Sequence, residues 1–343
     1  MIEKAIGPAN WRRCDLQNSE TWVYILNDAE KTEVRSTLAR VIKRNVALKD
    51  MTLDDFKLPL LAPVLNNLRD ELEDGLGLKL LRGFPVKGLN TDHLRAMYWG
   101  IGLHIGTAVS QSKRNDYLGD VRDIGTAHDG PNFRGYTSNG KLSYHVDAAD
   151  VTGLFCLRPA KKGGLSRIVS SLAVHDEILK RRPDLLETLY EPYWWSMQGN
   201  ELPGAEGFYT QPIFGIEQGY FACRYTRTHI HSAELNPDLP NLSAAQNSAL
   251  DLFDEICARP DFHVTMMFEP GDMQFLNNHL TLHTRTAFED FKSVGQKRHL
   301  MRLWLSPPNS RPLSNGFIPF YRNVAAGAVR GGFPGQGDMK FQT

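Results

Sequence analysis

Apolar positions change their spacing along this chain. Through the first hundred residues they recur at helical intervals; after about residue 140 they alternate or cluster as in strands. Asn27 followed by Glu30 has the form of a capping box, and Val34, Leu38, Val41 and Ile42 then give one apolar face to a charged segment. A second helix is predicted from Pro63 through Leu65, Leu68 and Leu72 to a stop at Gly75. Residues 78–81 read as a short strand. Asn90 and Thr91 begin a third helix carrying Leu94, Met97, Tyr98 and Ile101. Residues 11–25 read as irregular, then extended. Nothing in this part points to chemistry.

Residues 110–140 carry few periodic signals and many Gly, Asn and Asp residues, so a long loop is predicted, of the kind that forms lids and binding loops. Gln111, Arg114, Arg122 and His128 are its polar candidates, with solvated loop residues the plainer reading of each. Beyond it, strands are predicted at 153–157 and 166–170, then a helix at 172–181. A hairpin follows, with arms 212–216 and 220–224 joined by Glu217-Gln218-Gly219. Ser243 and Gln246 cap a helix bearing Leu250, Phe253 and Ile256. Strands at 263–268, 273–276 and 298–305 complete the pattern. Arg298 and Arg302 are an even number of residues apart on the last strand, so they share a face, roughly 13 Å apart. Two guanidinium groups on one face of a core strand call for anionic partners. The glycine-rich tail from residue 324 is expected to be partly mobile.

Composition narrows the function. With 39 basic and 39 acidic side chains among 343 residues the formal charge is zero, which gives no reason to expect nucleic acid or an anionic membrane as partner. Apolar runs are too short for a transmembrane helix, and the first residues lack the apolar stretch of a signal peptide, so a cytoplasmic location is expected. Cys14, Cys156, Cys223 and Cys257 are far apart and form no CxxC pair, which argues against a zinc ribbon or a disulfide framework and reads as buried free thiols.

One short motif does suggest chemistry. In Tyr144-His145-Val146-Asp147, an extended backbone would aim His145 and Asp147 to one side, supplying two members of a 2-His-1-carboxylate set for non-haem Fe(II). Alone it is a weak signal. Further on, Gly271-Asp272-Met273-Gln274-Phe275-Leu276-Asn277-Asn278 leads to His283, and Arg298 follows fifteen residues later. Gly163-Gly164-Leu165-Ser166 lies between. In this order the motifs resemble those of the TauD/TfdA group of Fe(II)- and 2-oxoglutarate-dependent dioxygenases, and Leu81-Arg82-Gly83-Phe84 extends the likeness toward the N-terminus.

The resemblance implies a mixed α+β fold: a double-stranded β-helix (jelly roll, cupin-like) flanked by helices. It implies one domain over residues 1–343, mostly helical over 1–105, jelly roll with inserted loops over 106–310, then a tail. His145, Asp147 and His283 would bind Fe(II). Arg298 would hold the distal carboxylate of 2-oxoglutarate in a bidentate fork, with Ser166, in place of the family's commoner threonine, adding a hydroxyl. With O2, the reaction would oxidise an aliphatic C–H of a small polar molecule and release succinate and CO2. Arg302 matches an arginine that contacts an acidic substrate group in several relatives, though it could serve 2-oxoglutarate instead. Gln111 and Arg224 are further substrate-binding candidates. His279, four before His283, is read as a neighbouring rather than ligating histidine. Asp147 disfavours halogenation. A non-catalytic jelly-roll binding protein and a zinc hydrolase using the same ligands are the alternatives. Relatives commonly form dimers or tetramers, and homo-oligomer formation is left open.

Other conspicuous groups have plainer readings. Tyr193, Trp194 and Trp195 could wall a pocket but suit core packing. Arg224 and Tyr225 face either a cavity or the core. His229 and His231 suit the surface, Lys161 and Lys162 a solvated turn, and Asp176 and Glu177 ion pairs with Lys180 and Arg181 on one helix.

Overall fold

A computed structural model describes residues 2–125 and 135–342. Its core is two facing sheets. The larger runs in the order Val23–Ile25, Leu78–Arg82, Met273–Asn277, Val151–Arg158, His299–Ser306, with Thr107–Ala108 and Leu118–Val121 both paired to the outer edge of the last. Every pairing is antiparallel except the first. The smaller sheet has the order His263–Met266, Ser166–Ser170, Thr281–Arg285. Single bridges extend it from His283 to His145 and from His145 to Thr226.

Alternation along the strands decides which side chains meet between the sheets. Leu300, Arg302 and Trp304 turn into a cavity. Met301, Leu303 and Leu305 turn outward, where they pack with Val34 and Leu38 of the Asp28–Arg44 helix, Leu65, Leu68 and Leu72 of Ala62–Glu73, and Met97 and Ile101 of Thr91–Leu103. On the opposite side Val169 and Leu282 pack under the helices Ser171–Arg181 and Ala244–Ala258 through Leu172, Ile178, Phe253 and Ile256. Helices thus cover both outer faces and leave the space between the sheets for the site. This is the jelly roll with flanking helices that the motifs imply.

Local chemistry sets the boundaries. Asn27 and Ser243 accept hydrogen bonds from the N3 amides of their helices, with Glu30 and Gln246 completing the capping boxes. Asn90 caps Thr91–Leu103. The hairpin Phe214–Glu217/Tyr220–Cys223 turns through Gln218 and Gly219, both at positive φ (52° and 84°). Gly271 is required twice over. Its φ is +92°, and a Cβ there would lie 2.3 Å from the Phe84 carbonyl oxygen. Beside it, Arg82 donates from Nε and Nη2 to both oxygens of Asp272, at 2.9 Å each, which ties the N-terminal half to the jelly roll.

Several expectations need correction. The stretch 110–140 contains the strand Leu118–Val121. All four of its residues are buried, so it lacks the alternation that would have shown it. His128 lies outside the described residues. The tail is packed: Arg330 and Phe333 are buried, Phe341 meets the edge of Trp99, and Lys340 bridges to Asp116. Glu177 pairs with Arg12 and Arg259, from distant parts of the chain, while Arg181 pairs with Glu255. Asp176 accepts from Asn10 and the Ala5 amide. Cys14 is exposed; the other three cysteines are buried, and all four are free. Tyr193 and Trp195 are core residues on a strand paired with Phe208–Gln211. Lys161 and Lys162 are exposed, but only Lys161 lies in the bend; Lys162 begins the short strand Lys162–Gly163, paired with Phe288–Glu289. No helix among the described residues is long and apolar enough to cross a membrane.

Candidate active site

The site is made by one strand pairing and one step of two. His145 and His283 exchange backbone hydrogen bonds (3.0 and 2.9 Å), so their side chains stand side by side on the cavity face, ring centroids 4.4 Å apart. Asp147, two residues after His145, points the same way. Ligand atoms of His145, Asp147 and His283 all lie within 4.8 Å of one another.

Each of the three is held from behind. His145 Nδ1 lies 2.9 Å from the Ser143 carbonyl oxygen, which fixes Nδ1 as the protonated nitrogen and leaves the Nε2 lone pair for a metal. Asp147 receives Thr152 Oγ1 on Oδ2 (2.8 Å) and Arg302 Nη1 on Oδ1 (3.1 Å). Asn278 Oδ1 accepts the Asp147 amide, and Asn278 Nδ2 donates to the Ala149 carbonyl and to Thr152, so one amide side chain fixes the whole turn after His145. Burial opposes ionisation of Asp147, but the Arg302 guanidinium, assisted by the neighbouring imidazoles and the Thr152 hydroxyl, outweighs it and holds the carboxyl well below its usual range. Burial, then the charge of His145, lowers His283 to about 3, so its imidazole is neutral and able to ligate. Two imidazole nitrogens with one carboxylate, open on the cavity side, suit Fe(II).

The cavity, of about 300 Å³, also receives Ser166, Arg298 and Arg285. Arg298 is 4 % exposed, and its Nη1 has no hydrogen-bond partner among the described residues. Burial lowers its pKa to about 10, so it stays charged near neutral pH. The bare Cα of Gly164, at φ +69°, leaves room beside it: a Cβ there would lie 3.5 Å from Arg298 Nε. Ser166 Oγ is 3.4 Å from Gln274 Oε1. A buried cation, a hydroxyl and a glycine-lined gap form a fitting cradle for a carboxylate. Arg285, two residues after His283 and paired with Ser166 across the sheet, was not singled out from sequence, although the period of two from His283 points to it. Its Nη2 donates to the Ser138 and Gly140 carbonyls, while Nε and Nη1 have no partner among the described residues. Burial, then the charge of Arg298, lowers it to about 9. Both guanidinium groups lie against the Phe288 ring, at 4.8 and 5.2 Å.

The remaining candidates divide. Gln111 lines the cavity but is committed: its amide nitrogen donates to the Tyr117 and Arg302 carbonyls, and its oxygen accepts Arg302 Nε. Arg302 is shared between Gln111 and Asp147. Arg224 and His229 line the cavity, whereas His231 is exposed beside Glu234. Arg114 pairs with Asp116, and Arg122 is exposed. His279 does not join the cluster; its Nε2 lies 2.8 Å from Asp150, which Arg330 and Ser306 also engage.

A jelly roll with two histidines and an aspartate converging on its cavity defines the class of non-haem iron oxygenases. Residues 44–304 match the family described as Taurine catabolism dioxygenase TauD, TfdA family. The chain is 32 % identical over 311 residues to FR-33289 synthase of Streptomyces rubellomurinus, covering 89 % of this chain and 91 % of that one. It is 28 % identical over 322 residues to taurine hydroxylase-like protein SAT17 of Stachybotrys chartarum, covering 87 % and 80 %. In fold it is similar to an asparagine oxygenase solved with Fe(II), 2S,3S-3-hydroxyasparagine and succinate, with a TM-score of 0.67, 16 % identity, and 83 % and 93 % of the two chains covered. The chain belongs to the TauD/TfdA family, and it is a 2-oxoglutarate-dependent oxygenase that uses Fe(II) and O2.

Proposed function

We propose that this oxygenase hydroxylates an aliphatic C–H of a small, polar, acidic molecule, with succinate and CO2 as co-products. In this reading His145, Asp147 and His283 hold the iron, and Arg298 with Ser166 holds the distal carboxylate of 2-oxoglutarate. The observation that carries it is the convergence of three ligating side chains beside a buried, partly unsatisfied guanidinium with an open gap next to it. Fe(II) with 2-oxoglutarate supplies, when bound, an oxidant able to take hydrogen from an unactivated carbon and return hydroxyl. The chain's own work is placement. Ser143 and Asn278 keep two ligands aimed, Arg302 keeps Asp147 ionised, and Leu300, Leu154 and Phe268 line the cavity as an apolar wall that limits water. No general base is required, in keeping with the single lining carboxylate, Asp147, among the described residues. Desaturation or ring closure would use the same residues. A non-catalytic binding protein is disfavoured, since binding alone has no need of a complete ligand set.

Anaerobic titration with Fe(II) and 2-oxoglutarate is the test. Wild-type protein is expected to develop a weak visible charge-transfer band that is absent in His145→Ala and Asp147→Ala. A wild-type protein that binds no 2-oxoglutarate under these conditions would refute the assignment.

A further inference from the structure

The cations lining the cavity outnumber its carboxylates. Lys141, Arg224, Arg227, Arg285, Arg298 and Arg302 line it, against Asp147 among the described residues. Arg227 is neutralised by Asp251 and Asp254, at 2.6 and 2.8 Å, and Arg302 by Asp147. Arg298, with Arg285 on the same phenylalanine ring, lies at the end given above to 2-oxoglutarate. Lys141 is exposed to solvent. Arg224 is left over.

Arg224 is 1 % exposed and has no carboxylate partner among the described residues. The guanidinium Nη2 donates to the Tyr209 hydroxyl at 3.1 Å and the Tyr321 hydroxyl lies beside it, whereas Nε and Nη1 have no geometric hydrogen-bond partner among the described residues. The guanidinium lies over Phe320, 3.8 Å from the ring centroid, with Trp195 and Tyr321 at 5.4 and 5.8 Å. Aromatic faces attract a cation, but they do not replace the hydration lost by full burial. A permanently charged fork kept this way beside a cavity lacks an anion.

Position shows which anion. The smaller sheet runs from the Ser166 strand to the His283 strand, then His145, then Thr226. At about 4.8 Å per step, Thr226 lies ~14 Å from Ser166, on the other side of the ligating histidines. Arg224 is two residues before Thr226, too far to share the carboxylate held near Arg298 and Ser166. Phe320 and Tyr321 lie beyond residue 304, where the family match ends, as does the cavity-lining Phe333.

We infer that Arg224 is the receptor for an oxyanion of the primary substrate, a carboxylate, sulfonate or phosphate ester that anchors the molecule across the iron from 2-oxoglutarate. This rests on the iron and 2-oxoglutarate reading above. Two charge-assisted hydrogen bonds from Nε and Nη1, after a small side-chain adjustment, would satisfy the fork and leave the far end of the molecule toward the metal.

The test is calorimetric titration of anaerobic Fe(II) protein, saturated with 2-oxoglutarate, with butyrate, propane-1-sulfonate, propyl phosphate and the neutral butyramide. At least one oxyanion is expected to bind more tightly than butyramide, and the tightest identifies the anion. Arg224→Gln should weaken that binding about tenfold or more while leaving the visible 2-oxoglutarate band unchanged. Equal binding of oxyanions and butyramide, or an unchanged Arg224→Gln variant, would overturn the inference; so would oxyanion binding seen only in a parallel titration without 2-oxoglutarate, since that places it at Arg298. Should Arg224→Gln not fold, Arg224→Lys, which keeps the charge but not the fork, decides: several-fold weaker binding supports the inference and wild-type binding overturns it. A missing band in wild-type protein refutes the iron-site reading, whereas a normal band with no effect at Arg224 refutes this one alone.

Discussion

Arg298 and Asn278 show what a single side chain contributes to the proposed centre. Arg298 is a cation kept in a buried position with an unused donor, so a carboxylate should bind it without first displacing a protein partner. Arg298→Gln is expected to weaken 2-oxoglutarate binding by about 10- to 100-fold, the usual worth of charge-assisted hydrogen bonds, with thermal stability unchanged or raised because the uncompensated charge is gone. The intensity of the visible band against 2-oxoglutarate concentration checks it. Asn278 touches no ligand through a metal, yet it holds the Asp147 amide and Thr152 together. Asn278→Ala should lower Fe(II) affinity by about 10- to 100-fold, read by competition with a chelator. The three proposed ligands, which the structure brings together, were legible in sequence because two are two residues apart and the third follows a recognisable motif. Asn278 was visible in that motif but not its task, because its partners, Ala149 and Thr152, are more than a hundred residues away and only strand pairing brings them near. The partners of Gln111 were hidden for the same reason: its polarity marked it as a candidate, and it does line the cavity, but its bonds to the Arg302 guanidinium and two backbone carbonyls form only in the fold.

Elements announced themselves where local chemistry is decisive. Helices capped by Asn27, Asn90 and Ser243 and the hairpin turning at Gln218-Gly219 all form where their residues predict. Strands buried on both faces did not. Leu118–Val121 and Thr281–Arg285 have no exposed position, so neither alternates. Long-range joints were equally silent. The Arg82–Asp272 fork connects a strand of the N-terminal half to the turn that leads toward His283, with Asp272 fully buried. Arg82→Ala would leave that carboxylate with little beyond the Glu269 amide. A loss on the order of 2–4 kcal/mol is expected, somewhat below the usual figure for a broken buried pair because Arg82 itself reaches solvent. Urea unfolding measures it, and Arg82→Lys should recover only part.

For the whole molecule, the buried centre made by His279, Asp150, Arg330 and Ser306 joins the loop after the ligands to the chain's last segment. Burial lowers His279 to about 4, even though Asp150 pulls the other way. The unfolded chain takes up this proton near pH 6.5 while the folded one resists it, so stability is complete above that pH and falls as acid is added toward 4. The slope from this group is at most about 1.4 kcal/mol per pH unit. Asp150 is shifted down as well, and its contribution disappears only at lower pH. Urea midpoints at pH 7.5, 6 and 5 should therefore decline, and decline less in His279→Gln. The tail that supplies Arg330 looked mobile from its glycines, but composition does not reveal that Gly331 and Gly332 pass too close to Ala149 and Ser110 for a side chain. That packing bears on the cavity as well. The proposed ligands lie inside the stretch that matches the family, whereas Phe320, Tyr321 and Phe333 lie past its end. Substitutions in the closing segment at Phe333 would therefore reach the lining of the cavity without touching the proposed iron ligands.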